Sequence, residues 1–293
     1  MRHAIWLALL LSTQAGAQEA PPVQPPDIVV SGVRDREEQV RGFVRALTAE
    51  PRSGTLSRFA ESVCPTVIGL SPAQDKAVAA RMRAVAAAAG IPVADEDCAP
   101  NAILIVTENK RALIEALARE RPDYFGDLPE PRIRRLARSP GPAAAWQLEA
   151  QVDANGVPLA IDPGYGAPVN RTTEPLSRIM PVARWAFDAA ALVVESGAAM
   201  NLTTTQLADY AAMRLLAKLD PSRLTGSATP SILSSLDAPP DTQVPITLTH
   251  WDLAFLRGLY ASRPNQFAAS QRSAIARQME KELAGADDEK KRD

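Results

Sequence analysis

The sequence predicts an α/β fold (α+β in its looser sense), a mixed β-sheet packed with several α-helices. Strand-like and helix-like segments alternate through the first half. Residues 103–106 (ILIV) form a continuous apolar run, the mark of a strand covered on both faces. The second half carries two helices with explicit start signals and a third amphipathic run. Alternation of this kind is the βαβ signature, and it places a sheet at the centre of the fold.

The first 26 residues lie outside that pattern. Arg2 supplies a short positive region, residues 4–11 an apolar core, and Ala15, Gly16 and Ala17 the small residues that a signal peptidase reads. The apolar run is less than half of the roughly 20 residues needed to span a bilayer, so the reading is a signal peptide over 1–17, cleaved after Ala17. Residues 18–26 (QEAPPVQPP) form a proline-rich linker, because proline blocks both helix and sheet pairing. Residues 27–284 make a single α/β domain, with an N-terminal half (27–140) and a C-terminal half (141–284), and residues 285–293 a charged disordered tail.

Within the domain, Ile28, Val29 and Val30 read as a short strand, followed by a helix near 37–49. Residues 66–70 are a second candidate strand. Ser71, Pro72 and Gln74 then start a helix as cap, first-turn proline and capping-box partner. Val78, Met82, Val85 and Ala89 give it an apolar stripe, and Gly90 ends it. A helix bearing Leu113, Ile114 and Leu117 follows the ILIV strand, and a short basic helix is expected near Ile133. In residues 146–152, Trp146, Leu148, Ala150 and Val152 alternate with Gln147, Glu149 and Gln151, the period of a strand with one wet face. Residues 153–156 turn the chain, and residues 157–161 are expected to return as a hairpin partner. Residues 185–195 (WAFDAAALVVE) are ambiguous in period, with a strand expected at least from Ala191.

The two cysteines, Cys64 and Cys98, read first as a disulfide in an oxidising compartment. The alanine- and arginine-rich, lysine-poor composition suggests a high-GC bacterium, so the expected location is periplasmic or secreted. Loss of Arg2 with the leader takes the formal charge from −2 to −3, which gives no reason to expect nucleic acid. No later segment is long and apolar enough to span a membrane.

The best-defined helix starts at Thr203, with Gln206 completing a capping box and Leu202 facing Leu207. Leu207, Ala211, Leu215 and Leu219 repeat every four residues, so one face is expected to be buried, up to a stop at Pro221. Thr249 and Asp252 repeat the same start, with Leu256, Leu259 and Tyr260 as inner stripe. Phe267, Ile275, Met279 and Leu283 mark a last helix.

A strand, a capped helix, the "SIL" segment at Ser231 to Leu233 and "LTHWDLAFLRGLYAS" from Leu248 together resemble the back half of metzincin-like peptidases. They also resemble an uncharacterised family of exported proteobacterial proteins related to that fold. The likeness covers residues 185–262 and rests on the order of elements. It implies that Gln206, Asp209, Ala212 and His250 line a cleft. It also implies that a strand edge beside the helix, at residues 191–195, pairs with extended peptide. The alternative leaves Gln206 and Asp209 on the wet side of a buried helix.

The metzincin pattern His-Glu-x-x-His-x-x-Gly-x-x-His, laid on this helix with its acid at Asp209, puts the metal ligands at Ala208, Ala212 and Lys218, and the glycine at Leu215. A catalytic zinc needs three protein ligands, and alanine has no lone pair to give. After removal of the leader only His250 remains among the histidines, so no metal, no cofactor and no catalytic residue is expected. Two readings of function stand: a non-catalytic exported protein that binds an extended peptide or a protein partner in the periplasm, and a metal-independent hydrolase using His250.

Overall fold

The structure, a computed structural model, describes residues 33–48, 54–170, 181–224, 229–239 and 242–290. The expected leader, the proline-rich linker and the short strand at Ile28 to Val30 lie outside the described residues. Chain order is α1 (Val33–Leu47), β1 (Pro65–Ile68), α2 (Pro72–Ala88), β2 (Ala102–Thr107), α3 (Lys110–Glu120), α4 (Glu130–Ala137) and β3 (Ala143–Asp153). The two-residue strands β4 (Ala160–Ile161) and β5 (Pro168–Val169) follow, then β6 (Ala183–Glu195), α5 (Ser196–Ala199), α6 (Thr204–Leu216), α7 (His250–Ala261) and α8 (Ala268–Lys290). The fold is α/β, with a four-stranded mixed sheet in the order β1-β2-β6-β3 and a separate pair β4-β5.

Strands β1, β2 and β6 run parallel, and β3 runs antiparallel to β6. One face of the sheet carries Leu104, Val106, Leu192 and Val194 into a core shared with α1, α2, α6, α7 and α8. The other face carries Val193, Trp146 and Ala144 into a smaller core with Ile114 of α3 and Ala137 of α4. Leu192, Val193 and Val194 are all buried because β6 is covered on both faces. Strands from both halves of the chain hydrogen-bond in this one sheet, so position 140 marks no structural boundary.

The local start signals act as the sequence requires. Ser71, Thr203 and Thr249 are N-caps with complete capping boxes to Gln74, Gln206 and Asp252. Val78, Met82, Val85 and Ala89 are all buried. Cys64 and Cys98 are joined, with Cα atoms 6.0 Å apart, tying the entry of β1 to the loop that leads into β2. Gly69 turns the chain between β1 and α2 with φ of +106°, and a Cβ built there would lie 2.0 Å from the Val106 carbonyl oxygen of β2. Gly69→Ala is therefore expected to cost about 2–3 kcal/mol in urea unfolding through backbone strain at an obligatory glycine.

Several expectations are corrected. Strand β6 includes the stretch expected from Ala191 and begins already at Ala183, but it lies between β2 and β3, so residues 191–195 are interior and not a free edge. Residues 157–159 do return against β3, through Asp153 N donating to Val157 O (2.8 Å) and Leu159 N donating to Gln151 O (3.0 Å). The chain then departs, so that Ala160 and Ile161 pair with Val169 and Pro168. Helix α6 ends at Leu216, five residues before Pro221, where Ala217 turns extended. Phe267 precedes α8 and is 45% exposed. Helix α8 runs on to Lys290, through the position where a disordered tail was expected to begin.

Candidate functional site

The residues expected to line a cleft are mostly structural supports. Every residue from Gln206 to Leu216 is buried, because α6 is enclosed by the sheet, α2 and α7. The wet side anticipated for Asp209 does not exist. Its carboxylate is fully buried and accepts from Arg81 Nε (2.7 Å), Arg81 Nη2 (3.0 Å), Thr247 Oγ1 (2.8 Å) and Leu248 N (2.6 Å). These bonds clamp α6 to α2 and to the entry of α7. Gln206 closes its capping box and donates from Nε2 to Pro245 O (2.9 Å). Ala212 is fully buried.

His250 is the first residue of α7 and is exposed. A Ser-His-acid arrangement needs a serine and a carboxylate within reach of the imidazole. Among the described residues no hydrogen bond engages the His250 imidazole, and the nearby Asp252 is committed elsewhere. Asp252 accepts from Thr249 N (3.1 Å), Thr249 Oγ1 (2.8 Å), Ser231 Oγ (2.6 Å) and Ile232 N (2.8 Å). Burial pushes its carboxyl above the ordinary aspartate value, and those donors counter the push. Among the described residues no three His, Cys, Asp or Glu side chains gather as a metal site.

The feature with the geometry of a binding site lies along β3, the last strand of the sheet on that side. A hollow of about 680 Å³ is lined by Ala143, Ala144 and Ala145 of β3 with Tyr210, Arg214 and Asp237. Its neighbour, of about 590 Å³, is lined by Ala145, Trp146, Gln147, Leu148 and Glu149. The two share Leu136, Ala145 and Asp220, and together they follow seven successive residues of the strand. Successive strand residues point to opposite faces, so a hollow lined by all of them crosses the strand's outer edge.

Each wall has its own chemistry. On one face Trp146 stacks on Phe125 (centroids 5.0 Å apart) and donates from Nε1 to Tyr124 O (2.8 Å), which fixes an apolar floor. On the other face Gln147 Nε2 donates to Arg214 O (3.2 Å), and Lys218 Nζ pairs with Glu149 Oε2 (2.9 Å). These contacts bring the polar side of the strand against α6, so it is half-buried rather than wet. Two buried polar atoms on this side have no hydrogen-bond partner among the described residues: Glu149 Oε1 and Arg214 Nε. Each such atom typically costs about 1–3 kcal/mol when left unsatisfied.

Alternate backbone groups of this edge face away from β6. Pro142 O accepts from Glu195 N of β6, so even-numbered residues face β6, whereas the bonds of Gln151 and Asp153 to 157–159 show odd-numbered residues facing away. That parity turns the backbone groups of Ala145, Gln147 and Glu149 outward. Among the described residues no strand pairs with them there.

Sequence reasoning found this strand but not its place at the end of the sheet. It also missed Arg214, whose only signal was a charge inside an otherwise apolar helical run. No protein-family model, no curated protein and no solved structure matches the chain.

Proposed function

We propose that this chain is an exported, non-catalytic protein that binds an extended peptide segment by strand addition along β3. The observation that carries this reading is the hollow that crosses the outer edge of a terminal strand whose alternate backbone groups face outward. Main-chain hydrogen bonds would supply affinity, and the floor at Trp146 and Leu148 would select an apolar side chain. The order β6, α6, the segment at Ser231 and α7 supports a scaffold of metzincin-like descent without its metal ligands. Its third ligand position, Lys218, neutralises Glu149 in the groove. The disulfide fits an oxidising compartment, in keeping with export and cleavage after Ala17.

Ala145 lies where the two hollows meet, so Ala145→Pro tests the reading. Proline is tolerated on an edge strand where the amide faces outward, and there it removes a donor and fills the edge. Binding of peptides selected by the wild type from a phage-displayed random library is expected to fall about tenfold or more, the worth of one or two lost hydrogen bonds and a steric block. Undiminished binding by a folded Ala145→Pro protein would contradict strand addition at β3.

A further inference from the structure

We propose that the hollow beside Ala143, Ala144 and Ala145 receives a carboxylate of the bound peptide, held by Arg214; this rests on the strand-addition reading. Arg214 projects from α6 and is 9% exposed. Its Nη1 donates to Tyr210 Oη (2.5 Å), and its guanidinium lies 5.6 Å from the centroid of the same ring. A phenol and a ring face are neutral partners, so the charge keeps no counter-ion in direct contact. Among the described residues no carboxylate forms an ion pair with it, and Nε is buried without any acceptor. A guanidinium held in low dielectric favours a planar bidentate anion above all other ligands.

A second cation lies at this end of the groove, itself attended by Glu195 and Asp237. Lys110 is also buried, and its Nζ donates to Ser139 O (2.7 Å), Ser139 Oγ (3.2 Å) and Gly141 O (2.7 Å) on the same side of the hollow. Two carboxylates line the hollow: Asp237, which sits against Gly141, and Asp220, which accepts from Ser222 and pairs with Arg223; among the described residues neither forms an ion pair with Arg214. At the opposite end of the groove the orphan atom is an acceptor, Glu149 Oε1, beside a lysine already paired with the same carboxylate. The groove is therefore lined at the Ala143 end by a cation with an unfilled buried donor, and at the Glu149 end by a carboxylate with an unfilled buried acceptor. A peptide added antiparallel to β3 brings its C-terminal side to the Ala143 end. The carboxylate is either that chain terminus or an Asp or Glu side chain near it.

The test uses the intact mature protein and two random heptapeptide libraries, one displayed with free C-termini and one with both ends embedded in the display protein. Enrichment confined to the first library identifies the chain terminus; enrichment of Asp or Glu in the second identifies the side chain. A selected peptide is then synthesised with its carboxylate and as the matching amide, and both are titrated by fluorescence anisotropy. The wild type is expected to bind the amide about tenfold more weakly or worse, as for a charge-assisted hydrogen bond. Arg214→Met is expected to erase that difference and Arg214→Lys, which keeps the charge but not the bidentate fork, to keep only part of it. The wild-type comparison decides even if Arg214→Met does not fold. Selected peptides that bind equally as acid and amide would overturn the carboxylate site and leave strand addition standing. Failure to enrich any peptide in either library would overturn both.

Discussion

Arg81→Met is expected to lower the unfolding free energy by about 3 kcal/mol, because it strands the fully buried Asp209 carboxylate without its cation. Thr247 Oγ1 and Leu248 N remain as donors, yet two of these four bonds and the Arg81 countercharge are lost. The reverse change is milder. Asp209→Asn leaves Arg81, whose side chain is 39% exposed and can turn to water. Its expected cost is about 1–2 kcal/mol, chiefly from unmatched hydrogen bonds at the amide. Urea unfolding of both single variants and the double variant measures the coupling, with the double expected to cost less than the sum. A loss below about 1 kcal/mol for Arg81→Met would show that α2 and α6 are held together by packing alone.

Removing the disulfide has a comparable effect. Cys64 and Cys98 are separated by 34 positions, and cross-linking a loop of that size stabilises by about 3–4 kcal/mol in the chain-entropy model. The paired replacement Cys64→Ala, Cys98→Ala is expected to lower Tm by roughly 6–16 °C for a domain of this size. The segment between α2 and β2 should loosen first. Its other ties include Arg83 Nη1 to Ala94 O (2.5 Å), Arg83 Nη2 to Asp95 O (3.1 Å), the bonds of Val63 to Pro92 and Ala94, and those of Asn101 to Cys64 and Ser62. An unchanged Tm would mean that these contacts suffice without the cross-link.

The elements governed by short-range rules were legible in the sequence. Three capping boxes, the apolar stripe of α2 and strand β2, buried on one face and partly covered on the other, follow from spacings of three to seven residues. The cysteine pair was legible by elimination, since no third thiol competes. Properties set by neighbours distant in sequence were not. Residues 185–195 show an ambiguous period because both faces of β6 are covered, and nothing in their own pattern says that β3 closes one side. The four-residue repeat of Leu207, Ala211 and Leu215 implies one buried face, whereas Asp209 on the other face is buried through a partner as remote as Arg81. Cleft residues inferred from the peptidase likeness followed helix α6, while the groove lies on the neighbouring strand, where Gln147 and Glu149 read as ordinary wet-face residues.

Amide hydrogen exchange across residues 143–149, with and without a peptide selected by display, tests the binding account most directly. In the free protein the amides of Trp146 and Leu148, directed at β6, should be protected, and those of Ala145, Gln147 and Glu149 should exchange readily. Bound peptide should slow the second set selectively. Outward amides already protected in the free protein, or unaltered by a bound peptide, would contradict the account.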